Sequence, residues 1–213
     1  MDQVIRNAKT YSNMVPTRLD YTFTRDWFSE DHPEKVVLIF EKELQRYKGL
    51  PCKFLEIGSF EGMSSIWMLE NILTHEDSKL YCIDAWAEWT ENAFSRFIEN
   101  INKTGKRDKV DIIKGDSANY LGKFPENYFD FIYVDGDHNE QPVIKDATMS
   151  FRILKKGGIM AFDDYLLKTK YPNSPCSKIM IGSTKDAVDY FINAFSDQVE
   201  IIHKDYQLWI KKI

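Results

Sequence analysis

Two short runs hold most of the side chains able to do chemistry: Tyr133-Val134-Asp135-Gly136-Asp137-His138 and Ala161-Phe162-Asp163-Asp164-Tyr165. Each ends an apolar stretch, 129–134 and 159–162, of the length of a buried strand. If those strands are neighbours, Asp135, Asp163 and Asp164 meet at one edge of a sheet. Carboxylates so close repel and raise one another's pKa, and a cation relieves the strain. Oxygen donors with no cysteine and at most one histidine suit magnesium first, and calcium or manganese, over zinc. Any one of these acids alone is explained as a loop cap, and the Asp-Gly pair as a turn. Four acids at adjacent strand ends point to a site.

A second constellation lies upstream. Phe54-Leu55-Glu56-Ile57-Gly58-Ser59-Phe60-Glu61-Gly62 runs from a strand through a glycine loop into a helix starting near Met63. Glycines there let backbone approach a ligand, and a helix N-terminus offers free N–H groups. The next strand ends at Asp84, whose carboxylate can accept both hydroxyls of a ribose. A third ends in Gly115-Asp116-Ser117, an acid–hydroxyl pair where an adenine would lie. The spacing Glu-x-Gly-x-x-x-Gly is not the Gly-x-Gly-x-x-Gly of dinucleotide folds.

The elements that must position these groups alternate. Apolar runs at 53–57, 80–83, 110–113, 129–134 and 159–162 read as strands, and amphipathic stretches at 63–73, 88–102, 117–123 and 140–154 lie between them. Strict alternation implies right-handed crossovers and a parallel sheet covered by helices on both faces. A further helix at 184–195 precedes runs at 199–203 and 207–210. The gap of Lys204-Asp205-Tyr206 is too short for a crossover, so these last two strands are antiparallel. The expected class is α/β: a Rossmann-like seven-stranded sheet, mostly parallel, with an antiparallel C-terminal hairpin. Upstream, residues 1–32 are polar and irregular with scattered aromatics, Tyr11, Tyr21, Phe23, Trp27 and Phe28 among them. Pro33 then opens a helix of about fifteen residues ended by Gly49. The chain thus divides into an arm and helix at 1–49 and a main domain at 50–213.

Over residues 50–213 the sequence resembles the class I methyltransferases that use S-adenosylmethionine (SAM). The resemblance implies that Glu56, Gly58, Ser59, Phe60, Gly62 and Ser64 surround the methionine part of the cofactor. It sets Asp84 at the ribose and Asp116 with Ser117 at the adenine, and counts Ala85 and Asp135 among the cofactor contacts. Trp86 either packs on the adenine or belongs to the core. The paired acidic motifs, with Leu154-Lys155-Lys156-Gly157-Gly158 before the fifth strand, resemble the metal-dependent O-methyltransferases. Those are the catechol type and the type acting on sugar hydroxyls of macrolide and aminocoumarin antibiotics. Their three oxygen ligands match Asp135, Asp163 and Asp164. Catechol enzymes carry Asn in place of Asp164, so the chain leans to the sugar type. His138 and Asp137 compete as the base. An imidazole with an ordinary pKa of ~6.5 is neutral and accepts a proton at cellular pH, which favours His138 as base with Asp137 orienting the acceptor.

The expected reaction is therefore transfer of the SAM methyl to a hydroxyl of a small molecule or sugar, assisted by a divalent metal. The rivals are a metal-independent N- or C-methyltransferase, a SAM-binding module without catalysis and an NAD-dependent oxidoreductase. The glycine spacing and terminal hairpin count against the last. A net charge of −5 over 213 residues argues against nucleic acid as main partner. No run of the sequence is apolar enough for a signal peptide or a membrane span, and Cys52, Cys82 and Cys176 suit neither a disulfide framework nor zinc. Those features point to the cytoplasm. Self-association is left open.

Overall fold

The computed structural model describes residues 21–87 and 92–213. Residues 1–20 of the arm, with Tyr11, and residues 88–91, where the helix at 88–102 was to begin, lie outside the described residues. The chain packs as two compact units. One holds the described residues up to 52 with 59–80 and 86–111; the other holds 53–58, 81–85 and 112–213.

In chain order the elements are α1 (Val36–Leu44), β1 (Lys53–Ile57), α2 (Met63–Asn71), β2 (Lys79–Asp84), α3 (Ala93–Lys103), β3 (Val110–Lys114) and β4 (Phe129–Val134). Then come α4 (Glu140–Ile153), β5 (Leu154–Phe162), the short helices α5 (Leu167–Lys170) and α6 (Pro175–Ile179), α7 (Thr184–Ala194), β6 (Val199–Lys204) and β7 (Leu208–Lys212). The strands form one seven-stranded sheet in the order β3-β2-β1-β4-β5-β7-β6. β4 runs parallel to both β1 and β5, whereas β7 is antiparallel to β5 and to β6. The parallel sheet and the terminal hairpin match the sequence reading. Buried strands read as continuous apolar runs, and a three-residue gap permits only reversal.

In the larger unit the core joins Leu55, Ile57, Ile132 and Phe162 of the sheet to Val143, Phe151 and Phe191 of α4 and α7, all buried. The rings of Phe151 and Phe191 meet edge-on at 5.5 Å between centroids. Each such fully buried side chain contributes roughly 1.5–3 kcal/mol. Chain order reverses between β1 and β4, and in open α/β sheets ligands sit beyond the strand ends at that switch point.

The other unit is built on an aromatic cluster. Phe28 and Phe40 meet edge-on at 4.9 Å, and Trp67 joins both at 5.9 Å. Residues 21–28 contain no helix or strand and are held by side chains. Glu61 accepts from the Thr24 amide at 2.6 Å and its hydroxyl at 3.0 Å, and pairs with Arg96. Asn100 accepts from the Thr22 amide and donates to the carbonyls of Thr22 and Glu61.

Three elements depart from the sequence reading. The helix expected from Pro33 starts only at Val36, because Lys35 takes a left-handed φ of 47°, and it tightens into a 3-10 turn at Gln45–Tyr47. The stretch 117–123 forms two 3-10 turns, Ser117–Asn119 and Leu121–Lys123, instead of a helix. Seven residues gain too few helical hydrogen bonds to offset nucleation. β5 begins at Leu154, straight after α4, with an irregularity before Ile159 that lets Lys155–Gly158 bulge out of register with β4.

Candidate active site

The glycine loop is shaped by what it must avoid. Gly58 has φ +88°, and a Cβ there would stand 2.0 Å from the Asp135 carbonyl oxygen and 2.7 Å from the Gly136 Cα. Only glycine fits. The Gly58 amide donates to Ile83 O at 2.8 Å, and the Asp135 amide donates to Ile57 O at 2.8 Å. The ends of β1, β2 and β4 are thereby lashed together by backbone alone. Glu56 is fully buried, within 3.8 Å of the Cys82 thiol. Asp84, partly buried at the end of β2, receives the Gly115 amide on its backbone oxygen. Asp116 is exposed and caps the following turn by accepting from the Ala118 amide at 2.9 Å. Ser117 donates to Asp146 Oδ1 at 2.5 Å. Asp146 is buried on α4; burial pushes its carboxyl up to about 6, despite the opposing Ser117 hydrogen bond.

In the other unit, Gly62 has φ +87° and begins α2, with Ser64 in the first turn. Ser59 is buried, and its hydroxyl has no hydrogen-bond partner among the described residues. Phe60 takes φ 44°, and its carbonyl accepts from Trp86 Nε1 at 2.7 Å. Trp86 is buried against Phe94 and Phe97, at 4.8 and 4.9 Å, a core position. Ala85 is exposed.

Of the acids at the ends of β4 and β5, Asp135 and Asp164 come together with His138. Potential ligand atoms of Asp135, His138 and Asp164 all lie within 4.8 Å of one another. Asp163 is engaged differently. Its Oδ2 accepts from the Tyr133 hydroxyl at 2.6 Å, while Oδ1 accepts from Gln207 Nε2 at 2.9 Å and from the Asp164 amide at 2.8 Å. Gln207 is set in turn by Trp209, whose Nε1 donates to its Oε1 at 2.9 Å. Asp164 has φ 54° and accepts from the Tyr206 hydroxyl; His138 Nε2 lies 2.7 Å from Asp164 Oδ2. On its other side the imidazole meets Cys176 Sγ, 3.1 Å from Nδ1. Asp137 is exposed; its Oδ1 accepts from the amide and side chain of Asn139, both at 2.7 Å.

The electrostatics follow from burial and crowding. Burial holds the Asp135 carboxyl well above the usual range, and the charges of Asp163 and Asp164 push it further. Asp163 is raised for the same first reason and then by Asp164, against the hydrogen bonds from Tyr133 and Gln207. Burial and the neighbouring acids also hold the Tyr133 hydroxyl well above its ordinary value. For His138, burial acts downward, but its bonds to Asp164 and Cys176 and the charges of Asp164 and Asp135 lift it to about 11.

A family model described as a methyltransferase domain matches residues 55–165, more than half of the chain. The chain belongs to this methyltransferase family. An uncharacterised protein, R132, of Acanthamoeba polyphaga mimivirus is 33% identical over 116 residues, 53% of this chain and 51% of that one. A Dictyostelium discoideum protein named as probable caffeoyl-CoA O-methyltransferase 3 is 26% identical over 118 residues, 54% of this chain and 44% of its own length. The chain thus spans about half the length of the curated relatives it matches. Among solved structures, the O-methyltransferase TomG of Streptomyces achromogenes in complex with SAM aligns with a TM-score of 0.59 at 19% identity, covering 82% of this chain and 78% of TomG. The mycinamycin-pathway methyltransferase MycE, in complex with Mg and SAH, aligns at 0.61 and 16% identity, covering 87% and 51%. At these identities the likeness is one of fold. Tyr206, Gln207, Cys176 and Asp146 were not singled out by sequence as site residues. Tyr206, Gln207 and Cys176 reach the acids and His138 from far along the chain, Asp146 meets Ser117 from α4, and no local pattern marks them.

Proposed function

We propose that this methyltransferase transfers the SAM methyl group to a hydroxyl of a small molecule, a sugar among the candidates, with a divalent cation held at the acid cluster. The observation that carries the reading is the seating of Gly58 against the Asp135 backbone. It seats the first glycine of the loop against the backbone of Asp135 at the end of β4, which supports reading the loop as the seat of the sulfonium end.

The residues fit a cation. Asp135, Asp163 and Asp164 are the acids the motifs assign to it; two of them are raised by burial and mutual repulsion, a cost that positive charge removes. A bound divalent ion would lower the pKa of a coordinated hydroxyl and hold its oxygen in place. The chain's own groups do the rest. Tyr133 and Gln207 fix the Asp163 carboxylate, and Tyr206 orients Asp164. On the cofactor side, Gly58, Ser59, Phe60, Gly62 and Ser64 would receive the methionine part, Asp84 the ribose, and Asp116 and Ser117 the adenine. Of the two candidate bases, His138 is engaged on both ring nitrogens, by Asp164 and by Cys176. Asp137 is exposed beside it, so we assign proton acceptance from the acceptor to Asp137.

The deciding experiment measures SAH formation from SAM with a panel of catechol and sugar acceptors, before and after exhaustive EDTA treatment. Turnover that EDTA abolishes and a divalent ion restores supports the reading. Full turnover after EDTA removes the metal from it, and absence of SAM binding by calorimetry removes the activity.

A further inference from the structure

We propose that Asp146 fixes the hydrogen-bonding sense of the adenine edge: by taking the Ser117 proton it leaves Ser117 Oγ able only to accept, so the site selects a purine bearing an exocyclic amine. The inference rests on the cofactor reading above, in which Ser117 meets the adenine. It names the residue behind Ser117 that decides which base is taken.

Asp146 is a buried acid with no part in the methyl transfer assigned above. It lies on the covered face of α4, where Val143, Ala147 and Ser150 are buried around it. Among the described residues its only hydrogen-bond donor is Ser117, whose Oγ stands 2.5 Å from Asp146 Oδ1. Burying a carboxylate costs free energy that one hydroxyl offsets only in part, and burial accordingly lifts this carboxyl to about 6. The turn at Ser117–Asn119 does not call for such an acid, because Asp116 already caps it through the Ala118 amide at 2.9 Å. A neutral amide or a second hydroxyl in place of Asp146 would satisfy Ser117 without a buried charge.

What an acid alone supplies is direction. A hydroxyl has one proton and two lone pairs, and an amide or another hydroxyl bonds it in either sense. An ionised carboxylate only accepts. With its carboxyl at about 6, Asp146 is ionised at pH 7.5, and the Ser117 proton is committed to it. The lone pairs left on this half-buried hydroxyl then accept and never donate. Adenine offers the matching group, a donor amine at position 6. A 6-oxo purine sets an acceptor there, so that lone pair meets lone pair, and a purine without the substituent leaves Ser117 unanswered. The charge behind the hydroxyl also strengthens it as an acceptor, since hydrogen bonds in a chain polarise one another. Asp146 is thus a positioning residue, acting on the base through Ser117.

The test measures, by calorimetry on the full chain at pH 7.5, the affinity of SAH and of two analogues. One carries hydrogen in place of the adenine amine; the other, S-inosylhomocysteine, carries oxygen. The wild type should bind SAH about tenfold or more tighter than the hydrogen analogue, and about a hundredfold or more tighter than the oxygen analogue. Asp146→Asn is the decisive variant. Its amide gives a proton to Ser117 as readily as it takes one, which frees the Ser117 hydroxyl to donate to the 6-oxo group. The preference for SAH over the oxygen analogue should shrink about tenfold in this variant, with thermal unfolding confirming that it is folded. An Asp146 that only braces the turn would move all three affinities together, and unchanged ratios overturn the inference. Equal wild-type affinity for SAH and the hydrogen analogue also overturns it, and that comparison needs no variant. So does a Ser117→Ala variant that keeps the full preference. In each of those cases SAH still binds and the cofactor reading stands; if the wild type binds none of the three, that reading falls as well.

Discussion

The Gly58 Cα and the Asp135 carbonyl are packed so tightly that a single added methyl would overlap the carbonyl oxygen at 2.0 Å. Both partners are backbone, so neither can swing aside. Gly58→Ala combines that overlap with a side chain at φ +88°, each a recognised source of severe destabilisation. It should cost about 3 kcal/mol or more and remove SAM binding. Thermal unfolding with and without SAM checks this, and a variant that melts like wild type contradicts it.

Asp84 at the end of β2 is the expected ribose partner. Loss of a charge-assisted pair of hydrogen bonds costs about 1.5–3 kcal/mol. Asp84→Ala should therefore bind SAM roughly ten- to a hundredfold more weakly. Unaltered affinity by calorimetry would remove Asp84 from the cofactor site.

Asp137, exposed and capping through Asn139, is the assigned proton acceptor. Asp137→Asn keeps the capping oxygen and removes basicity, so kcat should fall about 10²–10⁴-fold while SAM affinity stays constant. Steady-state kinetics alongside calorimetry decide it. A variant with wild-type kcat returns the role to His138.

Asp146 gives a pH prediction. Burial raises its carboxyl to about 6 in the folded protein, above the ~3.9 of an exposed aspartate. Between those values the folded protein holds a proton that the unfolded chain has released, so stability from this group is present in acid and lost as pH rises through 6. Asp146→Asn stays neutral throughout and can still accept from Ser117. It should flatten the dependence and raise the melting temperature at pH 7.5 by a few degrees. Scanning calorimetry from pH 5 to 8 tests it, the refuting result being the same slope in both proteins.

Much of the fold was legible because its strands are buried on both faces. Phe54, Phe131 and Ile159 lie in neighbouring strands in register, and each belongs to an apolar run visible in the sequence. The terminal reversal was legible from the short spacing between its strands. The helices α5 and α6 were not, since four or five residues are too few to show a period. Within the site, the sequence placed the acids at strand ends but could not show which would share one space. Asp163 and Asp164 are adjacent in the chain, yet one turns to Tyr133 and Gln207 and the other to His138. Cys176 meets His138 across 38 positions, and Asp146 reads in sequence as one polar residue on a helix face.

The hairpin that ends the sheet also orders the assembly of the site in time. Tyr206 and Gln207, which hold Asp164 and Asp163, are added more than forty residues after the acids they hold. A growing chain that has made β5 but not β7 carries its carboxylates with neither partner and lacks the strand that β5 pairs with next. The acid edge therefore takes its working shape in one late step, when β7 closes onto β5 and brings both hydrogen-bond donors with it. A nascent chain arrested between 165 and 205 would hold those acids with Tyr133 and His138 but without the two later donors.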